Sequence, residues 1–410
     1  MGPMEPILFE WGSLLLRWTH VVAGIAWIGA SFHFMHLDAS LRAAPEIPVG
    51  TGAEAWQVHG GGFYQMRKYL VAPAQLPAEL TWHKWQSYAT WLTGFFLLLW
   101  VYYAQASLFL IDPAVRELNL PAALTFGLGG LALGWLVYDQ LCKSRVARFE
   151  LALAAVGFFL VVGMAAFFQT IFSPRGAFIH TGALMASIMT GNVFFVIIPN
   201  QKKVVASLLA GQTPDPALGA AAKQRSAHNN YLTLPVLFLM LSNHYPLTYS
   251  SPYAYVIVGL ILIAGALVRV FYNERHAGHG DKLWCWFIAF ACVFAALWIS
   301  MASSPGGRDI LGLPRAPVSQ QGGRSPPAEI AGIVERRCVM CHAAEPAWDG
   351  IGVAPRGVRL DSGENIARFA SLILMQTAVH AMPPNNITEM TSAERAQLAQ
   401  WARDEQRPRD

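Results

Sequence analysis

Long apolar runs separated by short polar stretches fill residues 11–302, whereas 303–410 are rich in Pro, Gly, Arg, Asp and Glu. A hydrocarbon core about 30 Å thick takes roughly 20 helical residues to cross. Eight stretches reach that length: 12–36, 85–110, 120–141, 150–172, 177–199, 229–246, 252–272 and 283–302. The predicted fold class is all-α: a polytopic membrane bundle of about eight transmembrane helices, residues 1–302, followed by a linker over 303–327 and a small all-α domain over 328–410. The sixth stretch, with Pro235, Asn243 and His244, is the most polar. Gly130 with Gly134, and Ser187 with Gly191, have the four-residue spacing of close helix packing. Residues 54–70, with Trp56, Phe63, Tyr64, Arg67 and Lys68, read as an interfacial amphipathic segment. The opening residues lack the basic start of a cleavable signal, so none is expected.

Composition sharpens this picture. Apolar side chains make up 54% and charged ones 13%, about half the charge of a soluble chain, which excludes a disordered protein. A net charge of +4, scattered along the chain, gives no footprint for nucleic acid. The distribution of the basic residues matters more. Arg42, Arg67, Lys68, Lys84, Lys143, Arg145, Arg148, Lys202, Lys203, Lys223, Arg225, Arg269, Arg275 and Lys282 fall at the odd-numbered connections, against Arg116 and Arg175 at the even ones. Basic connections stay in the cytoplasm, so both termini and the C-terminal domain are expected on the outer, periplasmic side.

The sharpest chemical motif is Cys338-Val339-Met340-Cys341-His342. Two thiols at this spacing can join the vinyl groups of one haem while the adjacent histidine binds iron. A structural zinc would need two more ligands at short spacing, and no second Cys pair follows. One covalent haem c on Cys338 and Cys341 is therefore expected, with His342 and Met382 as axial ligands. Met382 lies in the Pro-stiffened stretch His380-Ala381-Met382-Pro383-Pro384; His380 is the rival ligand, and Met375 and Met390 read as packing residues. Helices are predicted over 328–341 and 363–379. A third is opened by the capping box Thr391-Ser392-Ala393-Glu394, with Leu398 and Trp401 facing the first.

Ionisable groups inside an apolar span are expensive and default to a functional reading. His20 (with Arg17 nearby), His180 and His244 fall toward the outer ends of their spans, and are candidate ligands for a second, non-covalent haem b. His33, His36, His59, His83 and His228 fall toward the inner side, with Asn229 and Asn230 beside the last; Asn192 lies deep in the fifth span. Cys142, Cys285 and Cys292 read as apolar packing residues.

Several of these stretches also carry a family likeness. Arg17-Trp18-Thr19-His20-Val21, Trp27-Ile28-Gly29 through His33, His36 and Asp38, Trp56-Gln57-Val58-His59-Gly60-Gly61-Gly62-Phe63-Tyr64 and Trp82-His83-Lys84-Trp85 resemble the membrane-bound bacterial urate oxidases. Those proteins join an eight-span region to a C-terminal cytochrome c, and the likeness covers essentially the whole chain. It implies oxidation of urate to 5-hydroxyisourate at the bacterial inner membrane, with electrons leaving through haem c to a soluble cytochrome c or a terminal oxidase. Urate is an anion at neutral pH, so its site should combine a cation with amide and imidazole partners. On the inner side His33, His36, His59, His83 and Asn229 are the candidates, with Arg67 and Lys68 nearby. A haem c outside and urate inside would be separated by roughly 30 Å of hydrocarbon. Either urate reaches the outer half of the bundle, or His20, His180 and His244 hold a relay. A quinol-linked membrane cytochrome that only carries electrons is the rival reading, and a transporter with a redox-sensing tail a third.

Overall fold

Apolar side chains on all faces leave a helix two surroundings, other helices or lipid, and the fold uses both. The computed structural model describes the chain apart from residues 1–3, 48–50, 72–76, 78, 113–114, 304–307, 309, 315–324, 349–350, 352, 379–381 and 406–410. Its first part is built from α1 (Met4–Ser40), β1 (Gly52–His59), β2 (Gly62–Tyr69), α2 (Trp85–Leu97), α3 (Leu120–Lys143) and α4 (Glu150–Gln169). There follow α5 (Pro174–Gly191), α6 (Ile198–Leu209), α7 (Pro216–Leu241), α8 (Ala254–Ala277) and α9 (Trp284–Ser303). Single π-helical turns, Leu98–Tyr103 and Asn192–Ile197, extend α2 and join α5 to α6.

Among the described residues six helical segments are long and apolar enough to cross a membrane: Leu8–Ser40, Leu120–Lys143, Glu150–Gln169, Pro174–Leu209, Ala254–Ala277 and Trp284–Ser303. The second and sixth expected spans are present as α2 and α7. The first is split at its π turn; the second is polar over its inner half. α7 runs from Pro216 to Leu241 rather than 229–246, because Asp215 caps its start through the Ala217 amide (2.9 Å) and the chain tightens into a 3-10 turn at Ser242–His244. Arg225 and Arg269, expected at connections, are buried within α7 and α8.

The predicted close packing holds. A Cβ at Gly130 would lie 2.8 Å from Phe168 Cε1, and one at Gly134 or Gly191 would collide with Leu184 or Trp135. Ser187 instead accepts a hydrogen bond from the Trp91 indole at 3.0 Å. Cys142, Cys285 and Cys292 are buried free thiols, as their apolar surroundings implied.

Residues 54–70 depart from the all-α expectation. They form an antiparallel hairpin with Val58 opposite Phe63 and His59 opposite Gly62. Gly60 and Gly61 both take positive φ, 59° and 78°, the backbone of a type I′ turn that only such residues adopt without strain. Alternating apolar residues around a Gly-Gly pair therefore made strands, not an amphipathic helix.

The C-terminal helices are α10 (Ala328–Val334), α11 (Gly363–Arg368), α12 (Ala370–Ala378) and α13 (Ser392–Glu405). Thr391 and Glu394 exchange the two hydrogen bonds of the capping box, at 2.8 and 3.2 Å. Leu398 and Trp401 are buried together with Ile330 and Ile333 of α10, as expected. This unit docks on the bundle. Arg368 binds Asp112 and the Ile111 carbonyl, each at 3.0 Å, and Gln376 donates to Glu10 at 3.1 Å. The docked end holds the start of α1 and the connections after α2, α4 and α7; the hairpin and the α8–α9 connection belong to the other end.

Candidate functional site

The Cys338–His342 motif sits where a π-helical turn, Glu335–Val339, ends α10. His342 donates Nδ1–H to the Val358 carbonyl at 2.8 Å, while Leu360 N–H donates to the His342 carbonyl at 2.6 Å. Such a second partner fixes the ring and leaves Nε2 as the ligand atom. Burial, then neighbouring Cys341 and Glu394, push the Cys338 thiol up to about 12, and burial also raises Cys341 and lowers His342. Both thiols are half-buried and unpaired. Among the described residues no group of three or more His, Cys, Asp or Glu side chains is placed to hold a metal ion. The donor set fits a covalent haem.

Met382 is half-buried, and its loop is fixed by a residue the sequence did not single out. Arg395 donates to the carbonyls of Thr377 (2.9 Å) and Met382 (2.7 Å) and to Asn386 Oδ1 (2.9 Å). Met375 and Met390 are buried packing residues. The rival ligand, His380, lies outside the described residues.

The three outer histidines have separate surroundings. His20 pairs Nδ1 with the Thr90 carbonyl (3.0 Å) and Thr93 Oγ1 (3.1 Å), and its ring lies against Gly94. His180 is fully buried with both nitrogens engaged, Nδ1 to the Gly176 carbonyl (2.8 Å) and Nε2 to the Tyr103 hydroxyl (2.9 Å). Phe172 and Phe168 pack on its ring at 4.6 and 5.6 Å. An imidazole closed in this way does not fit an axial haem ligand, which corrects the expectation for His180. His244 ends the 3-10 turn among arginines. Burial, then Arg356, Arg17 and Arg175, hold it below the ordinary imidazole range.

The inner candidates do not form one pocket. His33 and His83 flank Phe34, with ring centroids 5.7 and 4.7 Å away, whereas His36 packs edge-on against His276 at 4.2 Å. His59 stands exposed at the hairpin turn. Arg67 pairs with Glu46 (2.7 Å) and Glu54 (3.4 Å), and Lys68 with Asp38 (2.7 Å), so neither cation is free for a substrate.

Asn229 belongs instead to a buried network. Arg225 binds Asp139 at 2.8 Å and Asn192 at 3.0 Å. Asn192 donates to Asn229 (2.9 Å) and to Tyr138 (3.1 Å), and Asn229 donates to the Met189 carbonyl (2.9 Å). Tyr138 meets His228 Nδ1 at 2.6 Å, and Lys143 reaches Asp139 at 2.5 Å. Asp139, a carboxylate within the apolar stretch 120–141, was the sequence signal for this network, whereas Arg225 read as a connection residue.

At the docked end a second polar group gathers under the C-terminal unit. Arg17 of α1, Arg175 of α5 and Arg356 of the Pro355–Gly357 turn lie within electrostatic reach of one another and of Glu10. Arg175 and Tyr102 both donate to Asn243 Oδ1, each at 2.6 Å, and the Arg175 guanidinium lies 4.8 Å from the centre of the Phe109 ring.

The family model described as urate oxidase N-terminal matches residues 6–300. No curated protein and no solved structure matches the chain.

Proposed function

From the chain's membership of the urate oxidase N-terminal family, shown by the match over residues 6–300, we infer a membrane-bound urate oxidase that sends its electrons out through a covalently held haem c. Oxidation to 5-hydroxyisourate removes two electrons from urate, adds the oxygen of one water and releases two protons. The electrons pass singly to the C-terminal cytochrome domain, and from there to a soluble cytochrome c or terminal oxidase of the respiratory chain. The observation that carries this reading is the docking of the Cys338–His342 unit on the outer end of the urate oxidase region, through Arg368 with Asp112 and Gln376 with Glu10.

The chain's own residues have defined tasks in this reading. Cys338 and Cys341 supply thiols for two thioether bonds. Val358 fixes the His342 ring through Nδ1, leaving Nε2 as the atom that would bind the iron, and Arg395 holds the loop from which Met382 would supply the second ligand. Haem c supplies one-electron transfer, and a methionine ligand raises its potential toward that of an electron acceptor. The excess of Lys and Arg at the hairpin end supports a cytoplasmic location for that end, and with it a periplasmic location for the docked domain at a bacterial inner membrane. A haem b relay through the membrane has less support, because His180 is closed by Tyr103, Gly176 and two phenylalanines.

Adding urate anaerobically to the oxidised, purified protein tests the function. Reduced haem c bands should appear with a stoichiometry of two electrons per urate consumed. Oxidised bands that persist with urate but bleach with a quinol would replace urate oxidation by the quinol-linked electron carrier.

A further inference from the structure

We propose that the seam between the outer end of the bundle and the C-terminal domain is the binding site for the urate anion, with Arg175 and Tyr249 as its buried donors and Arg17 and Arg356 as its charge. The proposal rests on the reading of the protein as a urate oxidase and gives that reading a substrate site.

Three observations converge there. Three arginines from three separate elements, α1, α5 and the Pro355–Gly357 turn, stand within electrostatic reach of one another, with Glu10 as their acidic neighbour. Like charges held together repel unless an anion joins them, and the carboxylate does not balance the guanidiniums. Arg175 is only 7% exposed, yet its Nη1 has no hydrogen-bond partner, although Nε is fixed by Asn243 at 2.6 Å. Tyr249 is 1% exposed, and its hydroxyl is likewise unpartnered. Two buried donors left open cost free energy that a bound acceptor would recover.

The chemistry of the site matches a planar oxyanion. A purine-trione anion presents carbonyl oxygens to Arg175, Tyr249 and the two outer guanidiniums. Its ring N–H groups can donate to His244, whose proton affinity burial and the three arginines lower. The rings of Phe109 and Tyr102 on Arg175 (4.8 and 5.7 Å) hold that guanidinium in place. The C-terminal domain closes the seam: a Cβ on Gly357 would lie 3.9 Å from Tyr249 Cε2, and Gly357 is next to Val358, the partner of His342. Urate bound here would lie on the haem c side of the bundle, and no electron would need to cross the hydrocarbon core.

The same arginines could instead hold the propionate carboxylates of haem c, and the experiment separates the two. Chemically reduced, haem-loaded full-length protein, which cannot oxidise urate, is dialysed to equilibrium against radiolabelled urate. Arg175→Gln should weaken urate binding at least tenfold, Arg356→Gln and Tyr249→Phe several-fold, and Arg175→Lys less than Arg175→Gln. Haem content and haem potential should stay at the wild-type values. Arg356→Gln alters an exposed turn, so it remains informative if the Arg175 variants fail to fold. Unchanged urate affinity in Arg356→Gln and Tyr249→Phe overturns the site. So does a fall in haem content or a shifted potential with urate affinity intact, which would assign the arginines to the haem. If wild-type protein neither binds urate nor is reduced by it, the functional reading itself fails; if it does both and the variants match it, only the location fails.

Discussion

The hairpin half and the docked half of the bundle each bury an arginine, and they treat it in opposite ways. Arg225 is closed in: Asp139, Asn192, Asn229, Tyr138 and His228 form a network whose members satisfy one another. Arg175 is held by one atom and left open at another, in the company of two more arginines and an unpartnered tyrosine. A closed network fixes helices and has nothing left to offer a ligand. An open one is strained by its own charge until something fills it. The difference separates scaffold from binding site more clearly than the number of polar residues does, since both halves are rich in them.

The largest effect should come from cutting the open half off from its electron exit. Replacing Cys338 and Cys341 together by serine should abolish covalent haem, seen by haem staining after denaturation, and with it all urate-driven reduction. Turnover that survives this double change would detach the outer site from the C-terminal domain altogether.

Opening the closed half should cost stability without touching the substrate. Asp139→Ala leaves Arg225 buried without its carboxylate, a change that costs about 3–5 kcal/mol; thermal unfolding in detergent should show it. Urate affinity measured on the folded fraction should stay within about twofold, and a larger loss would make the inner network part of the binding site. Between these lies the dock. Arg368→Ala removes two charge-assisted hydrogen bonds to Asp112 and Ile111, each of a class worth about 1.5–3 kcal/mol. Haem reduction by urate should slow in a stopped-flow trace while the equilibrium reduction level holds.

The smallest effect is expected at the hairpin turn. His59→Ala changes an exposed side chain, a class of change within about 0.5 kcal/mol, and urate oxidation should proceed at the wild-type rate. A severe loss there would return the substrate to the inner end and reverse the comparison.

Much of the fold was legible because apolar length is a strong signal. Six of the eight runs are helical segments long and apolar enough to cross a membrane, the other two are shifted or split, and the capping box and glycine contacts follow their spacing. The hairpin was less legible because its eight-residue alternation is a short signal among long helical runs, although Gly60-Gly61 marks its turn. The site was legible only where chemistry is local in sequence. Cys338, Cys341 and His342 are adjacent, so their pattern is visible; Arg17, Arg175 and Arg356 come together only through folding. Arg175 stood out in the sequence merely as one of two basic residues on the sparse side. Arg395 carried no signal, since a helical arginine in a polar tail reads as solvent-exposed.

The docked C-terminal domain also shapes the kinetics. On the proposed function, a redox centre tied to its donor region by Arg368 and Gln376 would receive each electron in a unimolecular step, at a rate set by the fold and not by encounter. Diffusion enters only at the exit, where the acceptor must find the domain. Added viscogen or dilution should therefore slow reoxidation by the acceptor and leave the internal step untouched.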